Sequence, residues 1–395
     1  MRVPLLDLTR QHERVREAVA SRVQAVFESQ QFILGQTVAD FEKAFCDYTG
    51  CAHAVGMSSG TDAQLAILMA MGIGPGDAVV TTPYTFFATA GCLHRVGAEP
   101  VFVDIRPDTL HLDAEKLREY LTGRGPRAAD GTVRTARGNR LRAVMPVHLF
   151  GACCDMDALE EVTAAFGLPI IEDAAQAIGS EFAGKNGGTA RAGTFGQSAW
   201  FSFFPTKNLG AAGDAGVTVC RSGEFAAKLR STRNHGMTQQ YHHDTVGGNF
   251  RLDALQAAVL LAKLPLVEEW NAARRHNADL YRAALGDLSD RVTLPAEPWR
   301  PAGLVNHHTY HQYVIRAERR DELQRHLAAA GIGQAIYYPV PLPLQECFAY
   351  LGHQPGDFPE AERAARESLA LPVFPELRAE EIAAVAAAIH SFYRG

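Results

Sequence analysis

From about residue 58 to 260 short apolar runs alternate with helical patterns. Ala63–Met71 predicts a helix after a Ser-Ser-Gly-Thr turn, and Ala78–Thr82 a strand closed by Pro83. Thr89–Val96 predicts a helix, Pro100–Asp104 a strand, Leu141–His148 a strand, Met156–Phe166 a helix and Pro169–Asp173 a strand. Ser198–Phe203 and Gly216–Cys220 complete the series. Short, β-branched strands separated by helices predict an α/β fold with a mostly parallel sheet covered on both faces. Such sheets bind ligands beyond the carboxyl ends of their strands.

Past about residue 250 the pattern changes. A long helix is expected from Asp253 to about Leu285, with Pro265 as the candidate break. Tyr310–Arg316 predicts a strand, Arg319–Ala330 a helix, Tyr338–Leu344 a Pro-rich segment and Ala379–Tyr393 a final helix. This predicts a large domain over 1–255 and a smaller α+β domain over 256–395. An N-terminal helix, about Arg10–Ser29, is expected to pack on the small domain or on a partner subunit.

Composition adds exclusions. The 395 residues are 47% hydrophobic and 21% charged with a net charge of −6, which offers no basic surface for nucleic acid. Arg124, Arg127, Arg134, Arg137 and Arg140 form one basic cluster in a Gly-rich stretch, read as a solvated loop ahead of an anion site. No apolar run reaches 18 residues, so no membrane span is expected, and the N-terminus lacks the apolar core of a signal peptide. The seven cysteines show no CxxC spacing, and Cys153 and Cys154 are adjacent. Reduced thiols in a cytoplasmic protein are expected, and no metal site.

Four segments carry candidate chemistry. Ser58-Ser59-Gly60-Thr61-Asp62-Ala63 opens a helix and reads either as an anion site or as a plain N-cap with Ser59 or Thr61 capping. Ile170-Ile171-Glu172-Asp173 runs an apolar strand into two carboxylates. Asp173 reads either as a helix cap or as a buried carboxylate that needs a cationic partner, such as a protonated ring nitrogen. Lys207 follows the aromatic strand Phe201-Ser202-Phe203-Phe204. Apolar surroundings would make its amine nucleophilic, although a lysine snorkelling from the sheet end is the bland alternative. Gly247-Gly248-Asn249-Phe250-Arg251 opens the long helix, where Asn249 and Arg251 can reach a phosphate. No GxxxxGK[ST] loop is present, and Ser58–Ala63 is not the GxGxxG of a nicotinamide dehydrogenase.

Taken in order, FILG (32–35), SSGTDA, TFFATA, IIEDAAQA, FSFFPTKNLG, RNHGM, GGNFRLDALQAA, YYPVPLPLQ and LALPVFPEL resemble the DegT-type sugar aminotransferases across nearly the whole chain. These are fold-type-I, aspartate-aminotransferase-like enzymes that use pyridoxal 5′-phosphate (PLP). The resemblance implies that Lys207 binds PLP covalently and carries protons, and that Asp173 pairs with the pyridine nitrogen. It further implies Gln176 near the PLP 3-hydroxyl, Phe86 on the ring face, and Gly60, Thr61 and Ser202 at the phosphate. Asn249 would join that phosphate site from the neighbouring subunit of a homodimer. Phe32, Tyr84, Tyr241, Arg251, Tyr337 and Tyr338 are the expected substrate contacts.

L-glutamate would donate the amino group, leaving 2-oxoglutarate and pyridoxamine phosphate. A nucleotide-linked keto sugar, at C3 of a dTDP- or UDP-3-keto sugar, would receive it. Two positions depart from the family's HYPxPLHxQ: Tyr337 and Pro343 stand where relatives carry histidine. That puts the sugar in question, and cyclitol or C4-sugar amination stay open. A dehydratase relative would carry histidine at Lys207. A non-catalytic regulatory protein of the same fold is the least favoured reading.

Overall fold

The computed structural model describes residues 1–123, 131–185 and 187–394. Helices α1 (Leu8–Ser29) and α2 (Gly35–Thr49) precede strand β1 (His53–Met57). Then come α3 (Gly60–Ala70), β2 (Asp77–Thr81), α4 (Ala88–Arg95), β3 (Glu99–Phe102), α5 (Ala114–Gly123), β4 (Arg140–Met145), α6 (Met156–Ala164) and β5 (Ile171–Asp173). A hairpin of β6 (Glu181–Ala183) and β7 (Thr189–Arg191) separates β5 from β8 (Ser198–Ser202) and β9 (Gly216–Cys220). Helix α7 (Gly223–Arg233) and a second hairpin, β10 (Met237–Gln239) with β11 (His242–His243), lead to α8 (Ala254–Lys263) and α9 (Val267–Leu285). The chain ends with β12 (Val292–Thr293), β13 (Tyr313–Ala317), α10 (Arg320–Ala329), α11 (Pro359–Glu367), β14 (Ser368–Leu371) and α12 (Ala379–Arg394).

Strands β1-β9-β8-β5 form one ladder and β4-β2-β3 another. Parallel bridges Val144–Ile170 and Val147–Asp173 join β5 to β4, giving the order β1-β9-β8-β5-β4-β2-β3. Among these seven strands only β9 runs against its neighbours. The expected mostly parallel sheet is therefore present, and β5 and β8 end side by side at Asp173 and Ser202.

The predicted long helix is broken where Pro265 removes a backbone donor: α8 stops at Lys263, a 3-10 turn spans Leu264–Leu266, and α9 resumes. The strand expected from Tyr310 starts only at Tyr313. Tyr310 has φ +42° and donates its N–H to His308 Nδ1, which turns the chain before the ladder begins. Helix α2 had no sequence assignment, although Val38, Phe41 and Phe45 are buried at helical spacing. Helix α1 packs along α8 and ties to the C-terminal part through Arg10, which donates to Glu381 in α12.

Apolar residues of the sheet, α2 and α8 share one core. A second forms around β12-β13-β14, the end of α9, α10 and α12, with Val3 packed into it. Part of the basic cluster, Arg124 and Arg127, lies outside the described residues. Arg137 donates to the Tyr350 carbonyl and lies over the Tyr350 ring, 5.8 Å from its centroid, so it lies against the protein.

Candidate active site

The carboxyl ends of β5 and β8, the start of α3, and the loop after β2 enclose a cavity of about 600 Å³. Pleating decides which carboxylate faces it, because successive side chains on a strand point to opposite faces. Glu172 points away from the cavity and is fully buried. It accepts from His148 Nε2 (2.9 Å) and from the backbone N–H groups of Gly193, Phe195 and Gly196. His148 Nδ1 accepts the Cys154 N–H, so Nε2 carries the proton given to Glu172. Burial works against the Glu172 anion, but His148 and these N–H groups outweigh it and hold its pKa below the usual value.

Asp173 points into the cavity. Its Oδ2 accepts from Thr89 Oγ1 (2.9 Å) and its Oδ1 from the Ala175 N–H (3.1 Å). Burial raises its pKa, and Thr89, Ala175 and Lys207 oppose the rise. A buried carboxylate with room in front of it is matched to a cationic partner. Lys207, half-buried on the same cavity, has its amine pushed down to about 8 by burial, with Asp173 opposing.

Part of the cavity wall is the start of α3. Ser59 is the N-cap, and its Oγ accepts the Asp62 N–H (3.0 Å). Ser59 thus takes the capping role left open between it and Thr61. Helix geometry leaves the N–H groups of Gly60 and Thr61 without helical partners, and both residues line the cavity. A Cβ on Gly60 would sit 2.6 Å from Ser202 Cβ, so glycine is required for this close approach. The donor set, the Asp173 carboxylate and the Lys207 amine line one cavity, and their chemistry fits a phosphorylated pyridine aldehyde.

The family model for the DegT/DnrJ/EryC1/StrS aminotransferases matches residues 13–390. The chain belongs to this family. It is a PLP-dependent aminotransferase. A pleiotropic regulatory protein of Geobacillus stearothermophilus is 42% identical, with 100% of this chain and 99% of that one covered. A UDP-N-acetyl-3-dehydro-α-D-glucosamine 3-aminotransferase of Acidithiobacillus ferrooxidans is 39% identical over 100% of this chain and 98% of its own. Among solved structures, S. venezuelae DesV superposes with a TM-score of 0.89 at 37% identity, covering 100% of this chain and 99% of that one.

The aminotransferase cavity brings together Gly60, Thr61, Phe86, Asp173, Gln176, Ser202, Lys207, Tyr337 and Tyr338. Gln176 Oε1 accepts the Phe150 N–H (2.7 Å), and its Nε2 donates to Tyr338 Oη (3.0 Å). The Phe86 ring is exposed and lies 6.2 Å from that of Tyr338. Tyr84 stands behind the wall, fully buried. Its hydroxyl donates to the Tyr337 carbonyl (2.5 Å) and accepts the Tyr338 N–H (3.0 Å).

Asn249, Arg251, Tyr241 and Phe32 are not on the cavity of this chain. Asn249 is exposed and bridges to Asn234, whose side-chain oxygen accepts from Arg251 Nη1. Tyr241 is 82% exposed, and Phe32 packs edge-on against Phe27.

Thr89, His311 and Gln312 line the cavity without having been singled out from the sequence. Thr89 lay within TFFATA, four residues from Thr85, at one-turn helical spacing. His311 and Gln312 had no local signal, since the turn at Tyr310 delivers them.

Proposed function

We propose that this aminotransferase moves the amino group of L-glutamate to C3 of a dTDP- or UDP-linked 3-keto sugar, as a homodimer with shared sites in the cytoplasm. The observation that carries the chemistry is the single cavity joining the Lys207 amine, the Asp173 carboxylate and the open start of α3. The full-length likeness to a 3-aminotransferase of a UDP-linked sugar supports the substrate class. The exposed position of Asn249, with Val246 at 88% and Tyr241 at 82% exposed nearby, supports a second copy covering this segment.

Bound PLP supplies an electron sink for a carbanion at the donor's Cα. Asp173, held by Thr89 and Ala175, would turn its carboxylate to the ring nitrogen and favour the protonated form. The Gly60 and Thr61 N–H groups and Ser202 would hold the phosphate. Lys207 Nζ, its proton affinity lowered by burial, takes the proton from Cα of the donor and later delivers one to C3 of the sugar. Phe86 would cover one face of the ring and limit water there.

The test runs the reverse reaction with 2-oxoglutarate and a panel of UDP-, dTDP- and GDP-linked aminosugars, following glutamate. Glutamate from UDP- or dTDP-linked 3-amino sugars is expected. Activity only on free aminocyclitols would overturn the substrate. A purified protein that never takes up PLP would favour the regulatory role named for the Geobacillus relative.

A further inference from the structure

A smaller cavity of about 140 Å³ opens beside the main one. The two share Thr206, His311, Gln312 and Tyr337, and Leu6 and Arg274 help close the far side. Arg274 comes from α9 and is 98% buried, given its relative exposure of 2%. Its Nη1 donates to the carbonyls of Tyr310 (3.0 Å) and Val373 (3.0 Å) and, at 3.5 Å, of His311, while its Nε has no partner. No described carboxylate lies within ion-pair distance of it. Glu376 is the one described acid whose charge is felt there, and it is not on the side cavity.

A buried guanidinium without an ion pair is costly, and Glu376, whose two carboxylate oxygens are buried and also unpartnered, is not close enough to form one. The same corner holds a second unmet group, since His311 Nδ1 is buried and unpartnered. His311 lines both cavities, sharing the main one with Lys207 and the side one with Arg274.

We propose that this side cavity is the amino-donor pocket, in which Arg274 receives the side-chain carboxylate of a dicarboxylic amino acid. The inference rests on the aminotransferase reading of the main cavity. The donor's α-carbon must lie at Lys207, so an offshoot beyond His311 takes the far end of the donor. A carboxylate there supplies the direct ion pair that Arg274 lacks, with Arg the residue suited to bidentate carboxylate binding. The apolar wall at Leu6 encloses the intervening methylenes.

The test uses the PLP-loaded enzyme and follows the cofactor's absorbance through each half-reaction. Wild type, Arg274→Lys and Leu6→Phe are compared on L-glutamate, on L-2-aminobutyrate, which lacks the side-chain carboxylate, and on an aminosugar. The phenylalanine fills the side cavity without altering Arg274. Both variants are expected to raise the half-saturating glutamate concentration roughly 30-fold or more, with the other two substrates moving by less than about 3-fold. Calorimetric binding of glutarate to the pyridoxamine-phosphate form should be lost in both. Equal losses on glutamate and aminobutyrate, or glutarate binding unchanged in Arg274→Lys, would overturn the proposal. A wild type that responds to no amine at all would instead overturn transamination itself.

Discussion

Lys207 and Asp173 constrain each other through burial. Each is disfavoured as an ion by the apolar surroundings, and each favours the other's charge. In the cofactor-free chain the Lys207 amine is therefore neutral over a wider range than an ordinary lysine. Its acylation rate is expected to rise with pH through a midpoint near 8, well below the ordinary 10.5. A profile that rises only above pH 10 would contradict this. Lys207→Ala should bind PLP without covalent capture by borohydride. It should also lose roughly 10²–10⁴-fold in turnover, the usual share of a positioned acid–base group.

At the scale of elements, strand β5 works on both faces. One face delivers Asp173 to the cavity, and the other sends Glu172 into four hydrogen bonds that tie β5 to His148 and the 193–196 turn. Glu172→Gln would set an amide donor against N–H groups, and the expected loss is about 3–5 kcal/mol in urea unfolding. The Glu172 pKa is depressed in the folded state, so its contribution is complete above the ordinary value of 4.5 and is lost as pH falls below it. The wild type should lose stability on that acid limb, and the Gln variant should show a shallower limb. A variant of unchanged midpoint would show that the network is not holding the strand.

At the scale of the whole molecule, Asn249 is the informative residue. It is exposed and away from its own chain's cavity, yet the family resemblance implies that it reaches the phosphate site of the neighbouring subunit. If sites are shared between subunits, a hybrid of Lys207→Ala with Asn249→Ala subunits contains one site with both defects and one with neither. Mixed and reassociated dimers are expected to recover about half of wild-type activity per hybrid, because a two-fold interface pairs each site with the other chain. Recovery no greater than the sum of the two inactive parents would argue for a site complete within one chain.

Local pattern was enough for most of the large sheet and the cofactor end. Strand period, the Pro265 break and the serine cap are set by neighbours in sequence, and the ordered motifs carried Lys207, Asp173 and the glycine at position 60. Tertiary structure alone decided which of the adjacent carboxylates faces the cavity, since a shift of one residue in strand register reverses the faces. It also put Tyr84 behind the wall rather than on it, a consequence of contacts more than 250 residues away in the chain. His311 and Gln312 meet Lys207 on one side and Arg274 on the other only because the second core docks the turn before β13 against α9. No local spacing encodes such a meeting.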